Sequence, residues 1–236
     1  MMKKSLIALF AAMIACSGCA KKKQAAEGEL QAQGGSALPT VIEKVNSAIS
    51  PKLKAAPTML VAVLPAIPTE KVAGDIAKWT EVDPAGILRT VFFGRFSVLP
   101  FRDEHIRDVD QKLAQNGINN PSAIASASPA ELGRILGADA LVYIDVTKVE
   151  NTTTGVHSWT EYAATVRMIE SATGEELWRA ELNQTTRGGL TSKSSQVVDF
   201  VEFERMNRNR PLAFRQVAEI WSQKVVEDFK EKSNEI

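Results

Sequence analysis

Thr58-Met59-Leu60-Val61-Ala62-Val63-Leu64 is apolar at every position after the threonine and stops at Pro65. A strand with one face in water alternates polar and apolar residues. A continuous apolar run of this length instead reads as a strand buried on both sides. Asp75 to Phe93 follows with mainly helical character, with Pro84 tolerable at a first turn or a kink. Phe96 to Phe101 is predicted as a second strand. A helix from Asp103, its cap, to Asn116 comes next, with an acidic first turn and Asn116-Gly117 as its stop. Ser128-Pro129-Ala130-Glu131 carries the signature of another helix start: Ser128 as N-cap, Pro129 at the first helical position and Glu131 closing a capping box. Gly137 ends that helix.

Ala140 to Val146 is a third strand. Tyr162, Ala164, Val166 and Met168 alternate with more polar neighbours, so Glu161 to Ile169 reads as a half-exposed strand. Thr173-Gly174 turns the chain, and Glu175 to Leu182 pairs back as a hairpin. Arg187 to Asn209 reads as a long loop. Pro211 opens the last helix, which aligns Phe214, Val217, Trp221, Val225 and Phe229 on one face. The expected fold is α/β: a mixed sheet of about five strands in the order βαβααβββα, with helices packed on it. The early crossovers are parallel and right-handed, the late hairpins antiparallel.

The start of the chain has a different character. Lys3-Lys4 precede an apolar run from Leu6 to Ile14, followed by Ala15-Cys16-Ser17-Gly18-Cys19-Ala20. A short basic segment, a short apolar stretch and a small-residue patch make a secretory signal. The run is too short to span a bilayer, which takes roughly 20 apolar residues. Ser17-Gly18-Cys19 resembles the bacterial lipobox, in which the cysteine takes the lipid; Cys16 is the alternative site, and an ordinary secreted protein with two incidental cysteines is a third reading. Ala20 rather than Asp after the anchor resembles the outer-membrane class of lipoproteins. Both cysteines lie here, so the body has neither a disulfide nor a thiol nucleophile. The expected organisation is a signal peptide over 1–18, a lipidated flexible tether over 19–55 and a single α/β domain over 56–232. Leu38 to Ile49 within the tether is a candidate short helix.

The chain carries 28 Lys and Arg against 28 Asp and Glu, and loss of Lys3 and Lys4 with the signal leaves the mature side chains near −2. No basic balance points to nucleic acid. His105 and His157, the two histidines, stand far apart, and neither sits in a metal-ligand spacing. Asp103, Glu104, Asp108 and Asp110 form an acidic cluster that a helix N-terminus largely explains. No nucleophile elbow or phosphate loop is present in the sequence. No cofactor or metal is therefore expected. Trp159, on a long hairpin, is a candidate contact anchor or else folds back on the sheet. Arg205, Arg208 and Arg210 are candidates for meeting an acidic partner, or form a solvated loop.

Four stretches occur together in order: Val98-Leu99-Pro100, Lys112 to Gly117, Gly137 to Ile144 and Thr173 to Trp178. Through them residues 58 to 182 resemble a family of bacterial surface lipoproteins of the meningococcal vaccine-candidate antigen type. That family is similar in fold to the amino-terminal domain of TolB, the curli secretion channel lipoprotein and the lipoprotein activator of penicillin-binding proteins. The resemblance implies a non-catalytic envelope component that binds other proteins, and it fades after Arg187. The expected function is an assembly or accessory subunit of an envelope complex. Its expected partners are the membrane through the lipid, envelope proteins and a second copy of itself. Its expected place is the outer membrane, facing the periplasm, with surface exposure left open. A regulator that binds peptidoglycan or its synthases is the alternative, and a hydrolase is disfavoured.

Overall fold

The computed structural model describes residues 44–55, 58–154, 157–189, 205 and 207–235. Strand β2 (Leu60–Val63) realises the doubly buried strand: Val61, Ala62, Val63 and the following Leu64 are fully buried. Alternation sends Val61 and Val63 into one apolar cluster and Ala62 and Leu64 into another on the opposite face. Its parallel neighbour β5 (Ala140–Thr154) divides its side chains in the same way. Ala140, Val142, Ile144 and Val146 go to the first cluster, Leu141 and Tyr143 to the second.

Among the described residues the sheet has seven strands, more than the five expected, in the order β1-β7-β6-β5-β2-β4, with β3 (Ile67–Pro68) pairing parallel to β5. β4 (Arg102–Glu104) lies parallel to β2 at one edge. β5, β6 (His157–Glu170) and β7 (Glu176–Gly189) form an antiparallel meander. β1 (Asn46–Ile49) closes the other edge, antiparallel to β7. Residues 46–49 therefore form a strand where the sequence suggested a helix, because their backbone completes the β7 edge; residues 38–43 lie outside the described residues. The 3-10 turn Pro51–Ala55 follows directly, so the domain takes in residues placed in the expected tether.

The expected helix over 75–93 is two helices, α1 (Glu70–Ile76) and α2 (Pro84–Phe96). Asp83 starts the second, its carboxylate accepting from Gly86 N at 3.0 Å, and Pro84 takes the first helical position. The strand expected over 96–101 is absent. Phe96 instead ends α2 and stacks 5.4 Å from Phe92 and 6.4 Å from Trp178. The apolar run is buried as a helix end and a turn, and edge pairing falls to the charged residues 102–104. Asp103 accordingly lies in β4, and His105 caps α3 (Ile106–Gln115). α4 (Pro121–Ser126), which the reading of the sequence missed, starts at the cap Asn120, whose Oδ1 accepts from Ala123 N at 2.8 Å. Ser128 caps α5 (Pro129–Leu136) as expected, and Gly137 ends it with φ 71°.

α2 and the last helix, α6 (Arg210–Glu235), cover one face of the sheet. Phe92, Phe96, Trp178, Phe214, Trp221 and Phe229 meet there, all at least 97% buried. Trp178 packs edge-on to Phe229 at 4.9 Å, and Trp221 Nε1 donates to Leu182 O at 2.9 Å. α3, α4 and α5 cover the β2 end of the other face through Val109, Leu113, Ile124, Leu132 and Leu136. A Cβ on Gly133 in α5 would lie 2.3 Å from Ser171 Cβ, whereas one on Gly74 in α1 meets nothing within 4 Å. Gly133→Ala is expected to destabilise by about 1–3 kcal/mol. Gly74→Ala should be neutral or stabilising by up to about 1 kcal/mol. Chemical denaturation of the two variants in parallel reads the contrast.

Candidate functional site

Of the residues the sequence singled out, Cys16 and Cys19 lie outside the described residues. Trp159 is half-buried in β6, paired across to Thr152 on one side and Arg187 on the other. It sits in the sheet ribbon rather than at a loop tip, because β5 to β7 run on well past their expected ends. Arg205 and Arg208 are exposed and helical. Arg210 is committed within the molecule: it donates to Glu81 and its guanidinium lies 5.7 Å over the Trp79 ring. Trp79 in turn packs 5.2 Å from Phe214, so Arg210 fixes the start of α6 to the segment before α2. The arginine beside Glu81 holds that carboxyl below its usual range.

The titratable groups that resembled chemistry have structural uses. His105 Nδ1 accepts from Arg107 N at 3.2 Å, and its ring lies 5.8 Å from Phe93. His157 is exposed at the start of β6. The acidic cluster disperses: Glu104 accepts from Lys112 at 2.9 Å, Asp108 sits in the first turn of α3, and Asp110 faces Arg89. Among the described residues no cluster of His, Cys, Asp and Glu could hold a metal ion.

Two polar constructions were not legible in the sequence. One is at the far end of the ribbon. Asn207, 2% exposed, accepts from Asn151 Nδ2 at 3.0 Å and from the Thr160 hydroxyl. It donates to Thr152 O at 3.2 Å and Thr153 Oγ1 at 3.0 Å. One side chain thus pins the segment before α6 to both strands of the hairpin. No sequence motif marks an asparagine for that role; its partners lie about 50 residues away.

The other lies at the carboxyl ends of the parallel strands. β2 is followed by helices on one face and β4 by helices on the other, so their following segments diverge and leave a crevice, the usual ligand position in open α/β sheets. Arg89 of α2 spans it. Nη1 donates to both Asp110 oxygens of α3 at 2.7 and 2.9 Å, and Nη2 donates to Val63 O at 3.0 Å. Burial pulls the guanidinium pKa down and Asp110 opposes that shift. Asp110 lines each of three hollows of about 990, 450 and 220 Å³, and Arg89 lines the larger two. The largest runs outward along α2, between α6 and the start of α3. The ion pair spans the crevice, with Arg89 buried and the Asp110 carboxylate half-exposed.

Residues 105–204 match the family model described as "Putative lipoprotein GNA1162-like". A relative from Neisseria meningitidis serogroup B, described as "Putative lipoprotein NMB1124/NMB1162", is 33% identical over 97 residues; the match covers 39% of this chain and 45% of the relative, under half of its length. Among solved structures, lipoprotein GNA1162 from Neisseria meningitidis aligns over 64% of this chain and 98% of its own, with 22% identity and a TM-score of 0.41. The LpoB C-terminal domain from Salmonella enterica aligns over 56% and 90%, with 12% identity and a TM-score of 0.30.

Asn207→Ala removes the buried pin while leaving its partners in place. It is expected to cost about 1–3 kcal/mol. The signature is faster amide exchange at 151–160 with little change in β2. Asp110→Ala leaves the buried Arg89 charge unpaired and is expected to cost about 2–4 kcal/mol, tempered because Asp110 is half-exposed. The double variant with Arg89→Met should recover part of that loss in a denaturation cycle. Over residues 105–204, from α3 through the meander and beyond, the chain carries the sequence signature of the GNA1162-like lipoprotein family.

Proposed function

We propose that this chain is an envelope lipoprotein, anchored through Cys19 at the outer membrane. Its α/β body serves as a non-catalytic accessory subunit that binds protein partners. One observation carries the reading: a lipoprotein-family match over 105–204 lies downstream of a Ser-Gly-Cys that closes a short apolar run. The leader supplies export, the cysteine supplies a lipid, and the body supplies surfaces. Several acyl chains, each buried methylene contributing about 0.8 kcal/mol, make such an anchor stable.

The fate of the titratable groups supports a binding role over a catalytic one. His105 is spent on a helix cap, Glu104 and Asp110 on ion pairs, and Arg210 on Glu81 and Trp79. Catalysis needs a nucleophile or base free to meet substrate. The outward hollow along α2 and the ribbon around Trp159 instead offer area and relief.

Cys19→Ala is expected to abolish lipid labelling and release the protein from the membrane fraction, while Cys16→Ala leaves both unchanged. The reverse pattern would move the anchor to Cys16. Membrane retention and labelling in both variants would defeat the lipoprotein reading. Crosslinking in intact envelopes should recover protein partners; sedimentation with purified sacculi in their absence would favour the peptidoglycan alternative.

A further inference from the structure

α2 is apolar on two faces. Its inner face, Ala85, Leu88, Phe92 and Phe96, is buried against the sheet. A second stripe, Ile87, Val91, Gly94 and Val98, follows at spacings of four, three and four, the seam of a helix that packs against another helix. This stripe lines the hollow of about 990 Å³. Ile87 and Val91 are half-buried, and Val98, in the turn that ends α2, is 65% exposed. Ile87 and Val91 lean partly on the core, while Gly94 and Val98 are left in solvent.

Gly94 stands in the middle of that seam. A glycine inside a helix costs about 1 kcal/mol relative to alanine. Nothing among the described residues requires it: a Cβ at Gly94 would meet none of their atoms within 4 Å, whereas one at Gly86 would strike the Asp83 carboxylate at 2.4 Å. A glycine without an internal reason, on an apolar seam, is what a second backbone needs in order to approach closely.

The hollow also specifies its occupant. Near the start of α2 it is lined by Glu81 and Asp83 against Arg215; near the end, by Arg95 and Lys230 against Glu227. Glu81 is already paired with Arg210, so Asp83 carries the acidic end, and Arg95 and Lys230 carry the basic one. An amphipathic helix lying antiparallel to α2, acidic at its start and basic at its end, matches both ends and opposes the helix dipole. α2 itself has that pattern. Asp83 opens it, Arg95 lies in its last turn, and it carries the four-three-four seam.

We propose that α2 is a self-association surface: two copies of this chain pair α2 against α2 antiparallel about a two-fold axis passing near Thr90. Such an isologous contact places Asp83 of each copy toward Arg95 of the other, and the exposed Val98 toward the Val82 and Pro211 end of the other hollow. The inference rests on reading the body as a binding module, and its readout, oligomeric state, is separate from membrane anchoring.

The test uses the full chain extracted in detergent. Val91→Cys, mildly oxidised, is expected to give a disulfide-linked dimer, and Ala172→Cys, exposed in the β6–β7 turn, is not. The wild type oxidised alongside reports any bond made through Cys16 or Cys19. Gly94→Glu puts a bulky charge in the seam, opposite Gly86 of the other copy, where the monomer has room. It should convert the dimer to a monomer in light scattering without lowering the thermal midpoint. A monomeric wild type, or a dimer that Gly94→Glu leaves intact, overturns the proposal. So does crosslinking of Val91→Cys in whole envelopes to a different protein, which assigns the hollow to that protein. Loss of membrane association with the dimer intact would defeat the anchoring reading alone.

Discussion

Everything in this body hangs on the parallel pairing of β2 with β5. Val61 sits opposite Ala140, Ala62 opposite Leu141 and Val63 opposite Val142. All six are fully buried, so the pair has a packed layer on each face. A strand with apolar side chains on both faces cannot end a fold; it obliges helices to cover it twice. The chain meets the obligation by sending α2 and α6 to one face and α3 to α5 to the other. The two apolar clusters share no residue and are separated only by the sheet.

That division creates the polar features. Helices leaving β2 and β4 on opposite faces open the crevice at the strand ends, and Arg89 with Asp110 is the one ion pair described here that ties α2 to α3 across it. Away from β2 the sheet changes character. β5, β6 and β7 continue as a ribbon rich in threonine, and its helix-facing side near the tip holds Thr160, Gln184, Thr186 and Asn207 in place of aliphatic residues. Buried polar groups need partners, and Asn207 gives one to Thr160 while also bonding Asn151, Thr152 and Thr153. Lys224 serves Gln184 in the same way, donating at 2.7 Å. The molecule is thus aromatic and dry where α2 meets α6, and hydrogen-bonded at the tip of the ribbon.

The sequence was legible wherever a local rule was strong. Ser128-Pro129 with Glu131, Gly137 and the Thr173-Gly174 turn stand where local chemistry puts them, the two glycines with φ of 71° and 74°. It misled where two local rules competed. Phe96 to Phe101 has the composition of a strand, yet packing of Phe96 against Phe92 and Trp178 ends α2 at Phe96 and leaves 97–101 as a turn. Asp103 has the composition of a cap, yet sheet pairing claims it and passes the cap to His105. The arginine trio read as one patch separates for a similar reason: Arg210 finds a carboxylate and a tryptophan that lie 129 and 131 positions earlier in the chain.

The amino-acid sequence alone determined the α/β class, the doubly buried strand, the starts of α5 and α6 and the apolar face of the last helix. Each follows from side chains within a few turns of one another. Only the tertiary structure decided that residues 46–49 complete the sheet, that Asn207 bolts the ribbon and that Arg89 bridges two layers. It also left the second stripe of α2 facing solvent. Those outcomes depend on which distant backbone groups and charges are brought within about 3 Å, the range in which a hydrogen bond forms. Periodicity along the chain records which face of a helix is apolar, and burial of one face rather than another is settled only when the layers meet.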